Sequence, residues 1–168
     1  MSTVAGVTTF EWTSAEVRRA LGLPEIGGRG RRDGREAEGR AYRAVSTDSR
    51  RTRPGDLFVA LRGERFDGAE FVVAAARAGA AGAIVERRPR DVPAELELFE
   101  VEDARAALGA LGRHRRRALE PTLIAVTGTN GKTTVKELLG SILREGGPTY
   151  VSPGNYNNLV GVPLSLLE

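Results

Sequence analysis

Apolar positions along this chain follow two rhythms, and each rhythm predicts a different kind of element. Apolar runs at residues 57–61, within residues 82–86 and at residues 123–126 predict strands, the last covered on both faces in the pattern of a parallel sheet. Residues 96–101 alternate, Tyr42, Ala44 and Ser46 do so more weakly, and residues 149–151 read as one further strand. Helical spacing is carried by four stripes. Val17, Ala20 and Leu21 follow a Thr13–Glu16 capping box, and Phe71, Ala74, Ala75 and Ala78 share a face between residues 70 and 78. Ala104, Ala107, Leu108 and Leu111 follow an Asp103 cap and predict a helix to about Leu119. Val135, Leu138, Leu139, Ile142 and Leu143 form the last stripe, which ends at Gly146-Gly147-Pro148.

The order of these elements predicts an α/β protein. A small N-terminal mixed α/β domain, residues 1–120, is followed by the truncated start of a parallel-sheet phosphate-loop ATPase domain, residues 121–168. Residues 27–40 hold glycine and charge without apolar periodicity, and are expected to be a mobile loop.

Composition narrows the class. With 168 residues, 40% hydrophobic and 28% charged, the chain has the make-up of a soluble globular protein. No apolar run approaches the roughly 20 residues of a membrane helix, and the first ten residues lack the basic and apolar regions of a secretory signal. The absence of cysteine excludes disulfides and thiolate metal sites, which fits a cytoplasmic location. The net charge is +3, and only Lys132 and Lys136 are lysine. The arginines of the 27–40 segment are interspersed with Asp33, Glu36 and Glu38 and have no aromatic neighbours for base stacking, so nucleic acid is not an expected partner. Arg113 to Arg117 complement the negative end of a helix dipole. His114 lies among them without a carboxylate at metal-ligand spacing and is assigned no catalytic role.

Chemistry concentrates just after the 122–126 run. Gly128, Thr129, Asn130, Gly131, Lys132, Thr133 and Thr134 join that run to a helix. The two glycines permit backbone angles that turn successive N–H groups toward an anion. Lys132 adds a charge that reaches terminal phosphates, and the Thr133 or Thr134 hydroxyl is suited to Mg2+. The standard phosphate loop is not met, because Val126 stands where its first glycine would be. The shorter Gly-Thr-Asn-Gly-Lys-Thr-Thr form still predicts an ATP site.

Those seven residues resemble the ATP loop of the Mur ligase superfamily. Two further stretches share the resemblance: Ser46-Thr-Asp-Ser-Arg50 with residues 54–63, and Gly154-Asn-Tyr-Asn-Asn158 with Gly161-Val-Pro163. The resemblance implies an ATP-dependent, ADP-forming amide ligase of peptidoglycan precursor synthesis, working through an acyl phosphate. The implied substrates are UDP-N-acetylmuramoyl-tripeptide and D-alanyl-D-alanine; the alternatives are the ligase branch that adds the third amino acid to UDP-N-acetylmuramoyl-dipeptide and a phosphate-loop ATPase that is not a ligase. It makes Ser46, Asp48, Ser49 and Arg50, together with Gly63, Asp67 and Gly68, candidate contacts to the UDP end, although Asp48 and Ser49 also suit a simple turn. Asn155, Asn157 and Asn158 become candidates for the catalytic mouth alongside Lys132, with a turn as the alternative, and Thr133 the candidate Mg2+ ligand. Two departures stand out: Ala69 replaces the family's histidine, and Leu159-Val160 replace an acidic pair. The family's remaining regions supply further magnesium, adenine and amine contacts. The 168 residues alone are therefore expected to be inactive, to expose Leu123, Ile124, Leu138 and Ile142, and to be monomeric when part of a full-length chain.

Overall fold

The computed structural model describes residues 2–4, 7–25, 39–63, 66–154 and 156–168. Most of the expected 27–40 loop therefore lies outside the described residues. Strands β1 (Ser2–Val4) and β2 (Val7–Thr9) pair antiparallel. Strand β3 (Trp12–Thr13) leads directly into α1 (Ser14–Leu21), whose first turn is capped by Thr13 Oγ1 accepting from Glu16 N at 3.2 Å. The reciprocal half of the capping box is not made, because the Glu16 carboxylate turns outward to His114 and Arg19. Gly22 closes α1 in the left-handed region at φ 66°.

Strand β4 (Ala41–Tyr42) pairs with β3, and the chain then bends so that β5 (Val45–Ser46) enters a different sheet. The single strand expected from Tyr42 to Ser46 is thus two short ones. Arg43 N, donating to Gly55 O at 2.9 Å, holds the bend.

Strands β5, β6 (Leu57–Val59), β7 (Gly82–Val85) and β8 (Glu97–Glu100) form a four-stranded parallel sheet in that order. Between β6 and β7 the chain makes a 3-10 turn (Gly68–Phe71) that runs into α2 (Val72–Arg77). Because a 3-10 turn has about 3.0 residues per turn rather than 3.6, it rotates the face that the succeeding helix presents to the sheet. The residues turned inward are consequently Val72, Ala75 and Ala76, while Ala74 is exposed and Phe71 is 39% exposed, against the stripe expected from spacing.

Helix α3 (Ala104–Leu119) starts where expected, with Asp103 Oδ1 accepting from Arg105 N at 2.7 Å and Ala106 N at 2.9 Å. Its Ala104, Ala107, Leu108 and Leu111 meet Val17, Leu57, Val59, Ile84 and Phe99 on one face of the sheet. Phe58, Ala60, Ala83 and Val85 point to the other face, onto α2. Three layers result, helices on both sides of a sheet, which is why β6 and β7 carry no polar position.

Beyond Glu120, in the left-handed region at φ 46°, residues 121–127 form neither helix nor strand and join no sheet. Leu123 is 50% exposed and Ile124 52%. The strand expected there, and the one expected at 149–151, are not formed, since a strand is stabilised by a neighbour's hydrogen bonds and neither segment has one. Helix α4 (Lys132–Arg144) leaves Leu138 60% and Ile142 68% exposed. Helix α5 (Gly161–Leu166) turns back and docks on α3, where a Cβ added to Gly112 would lie 3.2 Å from Pro163 Cα. Val160, Leu164 and Leu167 thereby join the core beneath α3.

Candidate functional site

The Gly128–Thr134 residues form one exposed loop and the first turn of α4. Gly128 has φ 146° and Gly131 φ 76°, so the chain turns sharply twice within four residues. An added Cβ at Gly131 would meet nothing within 4 Å, so glycine is required there by backbone conformation rather than by space. Helix α4 opens with no side-chain cap, and its first helical bond is Val135 N to Gly131 O at 2.9 Å. The N–H groups of Lys132, Thr133 and Thr134 therefore lie outside the helix's own ladder, at the positive end of its dipole. Lys132 Nζ bends over the loop, donating to Gly128 O and, at 3.3 Å, to Thr129 O. The donor set is an ammonium, unpaired helix N–H groups and the Thr133 and Thr134 hydroxyls. That set fits phosphate oxygens. It fits a magnesium ion only as a partner of phosphate, with one threonine hydroxyl as its protein ligand.

The asparagine segment divides. Asn155 lies outside the described residues, and Asn157 is exposed. Asn158 opens α5: its Oδ1 accepts from Val160 N at 3.0 Å and Gly161 N at 2.7 Å, and its carbonyl accepts from Val162 N at 3.1 Å.

The candidates for the UDP end collect at the carboxyl edge of the parallel sheet. Ligands of open parallel sheets bind at that edge. Just past β5, Asp48 Oδ1 accepts from Arg50 N and Nε, both at 3.0 Å, and Oδ2 accepts from Arg50 Nη2 at 2.8 Å. The Arg50 side-chain bonds, followed by its backbone N–H, hold the Asp48 carboxyl down at about 2, so it is ionised at any working pH. Ser46 Oγ donates to Asp48 O at 3.1 Å, and the half-buried Ser49 sits in the same turn. The buried Thr52, which pattern reading missed, places its hydroxyl 3.1 Å from Asp48 O and clamps the turn from below.

Past β6, Gly63 N donates to Phe66 O at 2.9 Å and Asp67 caps the 3-10 turn, its Oδ1 accepting from Ala69 N at 3.0 Å. Gly68 is buried because its backbone lies against residues 60 and 61; a Cβ there would sit 2.4 Å from Leu61 O. Asp67 Oδ2 accepts from Arg87 Nη2 at 2.8 Å. Arg62, Asp67, Ala69, Glu86, Arg87 and Glu102 line a cleft of about 240 Å³. Arg62, Glu86, Arg87 and Glu102 escaped pattern reading, although each lies one to three residues past the end of a parallel strand. That position is the signal that could have found them. Among the described residues no hydrogen bond joins this sheet edge to the Gly128–Thr134 loop.

Residues 41–116 match the family described as "Mur ligase family, catalytic domain", and residues 126–168 match "Mur ligase middle domain". The chain is 46% identical over 125 residues to the UDP-N-acetylmuramoyl-tripeptide–D-alanyl-D-alanine ligase of Escherichia coli, covering 74% of this chain and 27% of that protein. It is similar to a solved UDP-N-acetylmuramoylalanyl-D-glutamyl-2,6-diaminopimelate–D-alanyl-D-alanyl ligase from Acinetobacter baumannii, with TM-score 0.77 and 40% identity over 95% of this chain and 34% of that one. A MurF ligase from Thermotoga maritima, solved in complex with ADP, matches with TM-score 0.65 and 38% identity over 74% of this chain and 29% of that one. The chain thus spans about 27% of the length of the curated relatives it matches.

Proposed function

The chain belongs to the Mur ligase family, and from that membership we propose that it carries the precursor-binding and ATP-loop portions of an ADP-forming amide ligase acting in the cytoplasm on peptidoglycan precursors. Its substrates are UDP-N-acetylmuramoyl-tripeptide and D-alanyl-D-alanine. The observation that carries this reading is the uncapped α4 N-terminus, preceded by two positive-φ glycines and overlaid by Lys132. The Lys132 ammonium and the helix N–H groups outside the ladder are donors, as phosphate oxygens require. The ADP bound by the Thermotoga maritima relative supports the same ligand.

Gly128, Thr129, Asn130, Gly131 and Thr134 surround the phosphates, Lys132 neutralises charge on the outermost one, and Thr133 is the protein ligand of magnesium. Magnesium, when bound, adds the positive charge that lets an anionic substrate approach an anionic phosphate. The difficulty to overcome is that a carboxylate does not acylate an amine, because its oxygen is a poor leaving group. The tripeptide carboxylate oxygen attacks the γ-phosphorus, ADP departs, and an acyl phosphate is left. The neutral amine of D-alanyl-D-alanine then attacks the acyl carbon, the carbon–oxygen bond to phosphate breaks, and inorganic phosphate leaves as the nitrogen's proton passes to solvent. Lys132 and the loop N–H groups act by stabilising the charge that gathers in transfer. Asn157 and Asn158, with Asn155, line the mouth near the reacting carboxylate. Ser46, Asp48, Ser49 and Arg50 with Gly63, Asp67 and Gly68 hold the UDP end. In this reading residues 1–120 form the precursor-binding domain and residues 121–168 begin the ATP-binding domain, with α5 bridging them.

Calorimetric titration of Mg-ATP into the 168-residue protein tests the reading. Lys132→Ala should weaken binding by about 2 to 5 kcal/mol, the loss typical of removing one partner of a hydrogen-bonded charge pair. Arg116→Ala, at the solvated end of α3, should change it by less than about 1 kcal/mol. Equal affinity of Lys132→Ala and parent would refute the loop assignment.

A further inference from the structure

Lys136 is the second of only two lysines in a chain whose other cationic side chains, among 25 in all, are arginine. It is not spread on the surface as a solvated helix charge: its side chain is 18% exposed. Its Nζ donates to Ser152 O at 2.6 Å and to Gly154 O at 3.2 Å, and lies 3.1 Å from Glu137 Oε1. A tetrahedral ammonium can direct three N–H bonds to three such acceptors around one point. A planar guanidinium, wider and forked, cannot converge on them in the same space.

A second contact, independent of charge, falls one turn further along the same face. Gly140 is the one buried residue of α4, and a Cβ added to it would lie 2.4 Å from Val151 Cγ2. Lys136 and Gly140 therefore seat residues 151–154 lengthwise along α4. In the other direction, Lys132 precedes Lys136 by four residues, about 6 Å along the axis on one face. The lysine over the glycine loop and the lysine that grips residues 152–154 are thus adjacent on one rigid helix.

We propose that Lys136 is a positioning residue that fixes the Ser152–Gly154 segment, and through it the Asn157–Asn158 stretch, to the helix whose N-terminus holds the nucleotide phosphates. This rests on the proposed nucleotide site. Ordering of the loop by nucleotide is passed down α4 to the segment that leads to the asparagines, which are thereby held in place when the phosphates are in place. The link lies in the carbonyls of residues 152 and 154, so a charge at position 136 is insufficient without the ammonium's shape.

Hydrogen exchange on the 168-residue protein, with and without saturating Mg-ADP, tests the link. In the parent, Mg-ADP should slow exchange about tenfold both in residues 128–134 and in residues 151–158. In Lys136→Met and Lys136→Arg the first effect should remain and the second should vanish. Gly140→Ala, which displaces Val151 without touching the lysine, should weaken the second effect, and exchange in β6 and β7 reports in every variant whether the sheet is intact. Parent-like slowing over residues 151–158 in Lys136→Met, or in Gly140→Ala should the lysine variants fail to fold, overturns the proposal while leaving the nucleotide site standing. Slowing in Lys136→Arg equal to the parent's overturns the requirement for an ammonium. If Mg-ADP slows exchange nowhere in the parent, the nucleotide reading falls and this proposal falls with it.

Discussion

Glu16 lies in the first turn of α1, yet its partners come from two directions: Arg19 on its own helix and His114, whose Nε2 lies 2.5 Å from Glu16 Oε2, from α3. Phe10 and Trp12 flank the imidazole, with ring centroids 5.8 and 6.0 Å away. Burial pushes the Glu16 carboxyl up, but the His114 hydrogen bond and then the charge and hydrogen bond of Arg19 outweigh it and leave it below its usual 4.5. A carboxylate lowered on folding contributes stability above its unfolded value, and that contribution disappears as pH falls through the folded one. Glu16→Gln should therefore be less stable than the parent at pH 6, by less than about 1 kcal/mol because the pair is partly solvated. The difference should shrink toward pH 3. Urea unfolding at the two pH values measures it, and a difference unchanged by pH would remove Glu16 as the linked group. Residue spacing could not reveal this contact. It joins positions 98 residues apart, so the carboxylate that His114 lacks within its own run arrives from the other end of the fold.

At the scale of elements, two glycines separate two reasons for the same residue. Gly22 needs a left-handed backbone in open space, whereas Gly68 needs room, since its Cβ would strike the backbone of residues 60 and 61. Gly22→Ala should cost about 1 to 2 kcal/mol from conformation alone. Gly68→Ala should cost more, because the displaced atoms are backbone just past β6 and cannot rotate away. Thermal unfolding should place Gly68→Ala below Gly22→Ala, and the reverse order would mean the β6 end yields easily. Helix α3 was legible from Asp103 and four apolar residues, and β6 and β7 from their runs, because cap chemistry and two-sided burial are written locally. The turn through Gly128 and Gly131 and the start of α4 were legible for a different local reason, the backbone freedom that only glycine has. The inward face of α2 was not, because the preceding 3-10 turn shifts the phase of the whole helix. Residues 122–126 and 149–151 carry strand-like sequence, but a strand exists only in a ladder with another. The pairing of Arg87 with Asp67, by contrast, is set by how β7 lies beside the turn after β6.

Across the described residues, the packed part is the sheet with its helices, and the segment of residues 121–160 attaches to it at both ends. It leaves α3 through Glu120 and returns through α5, where Val160, Leu164 and Leu167 meet the α3 side of the core. Leu164→Asp should release that return. Broad-specificity proteolysis would then cut residues 121–160 faster while β5 to β8 persist as a resistant fragment. Unchanged cutting would show that α5 contributes little to holding the segment. Viewed as a polymer, the excursion from α3 to α5 is a ring of about 40 residues whose closure costs roughly 3 kcal/mol of chain entropy. That cost grows only with the logarithm of contour length, so ten residues inserted after Glu120 would add roughly 0.2 kcal/mol. The connection is nearly indifferent to its own length, and the three apolar side chains that fasten its far end are not.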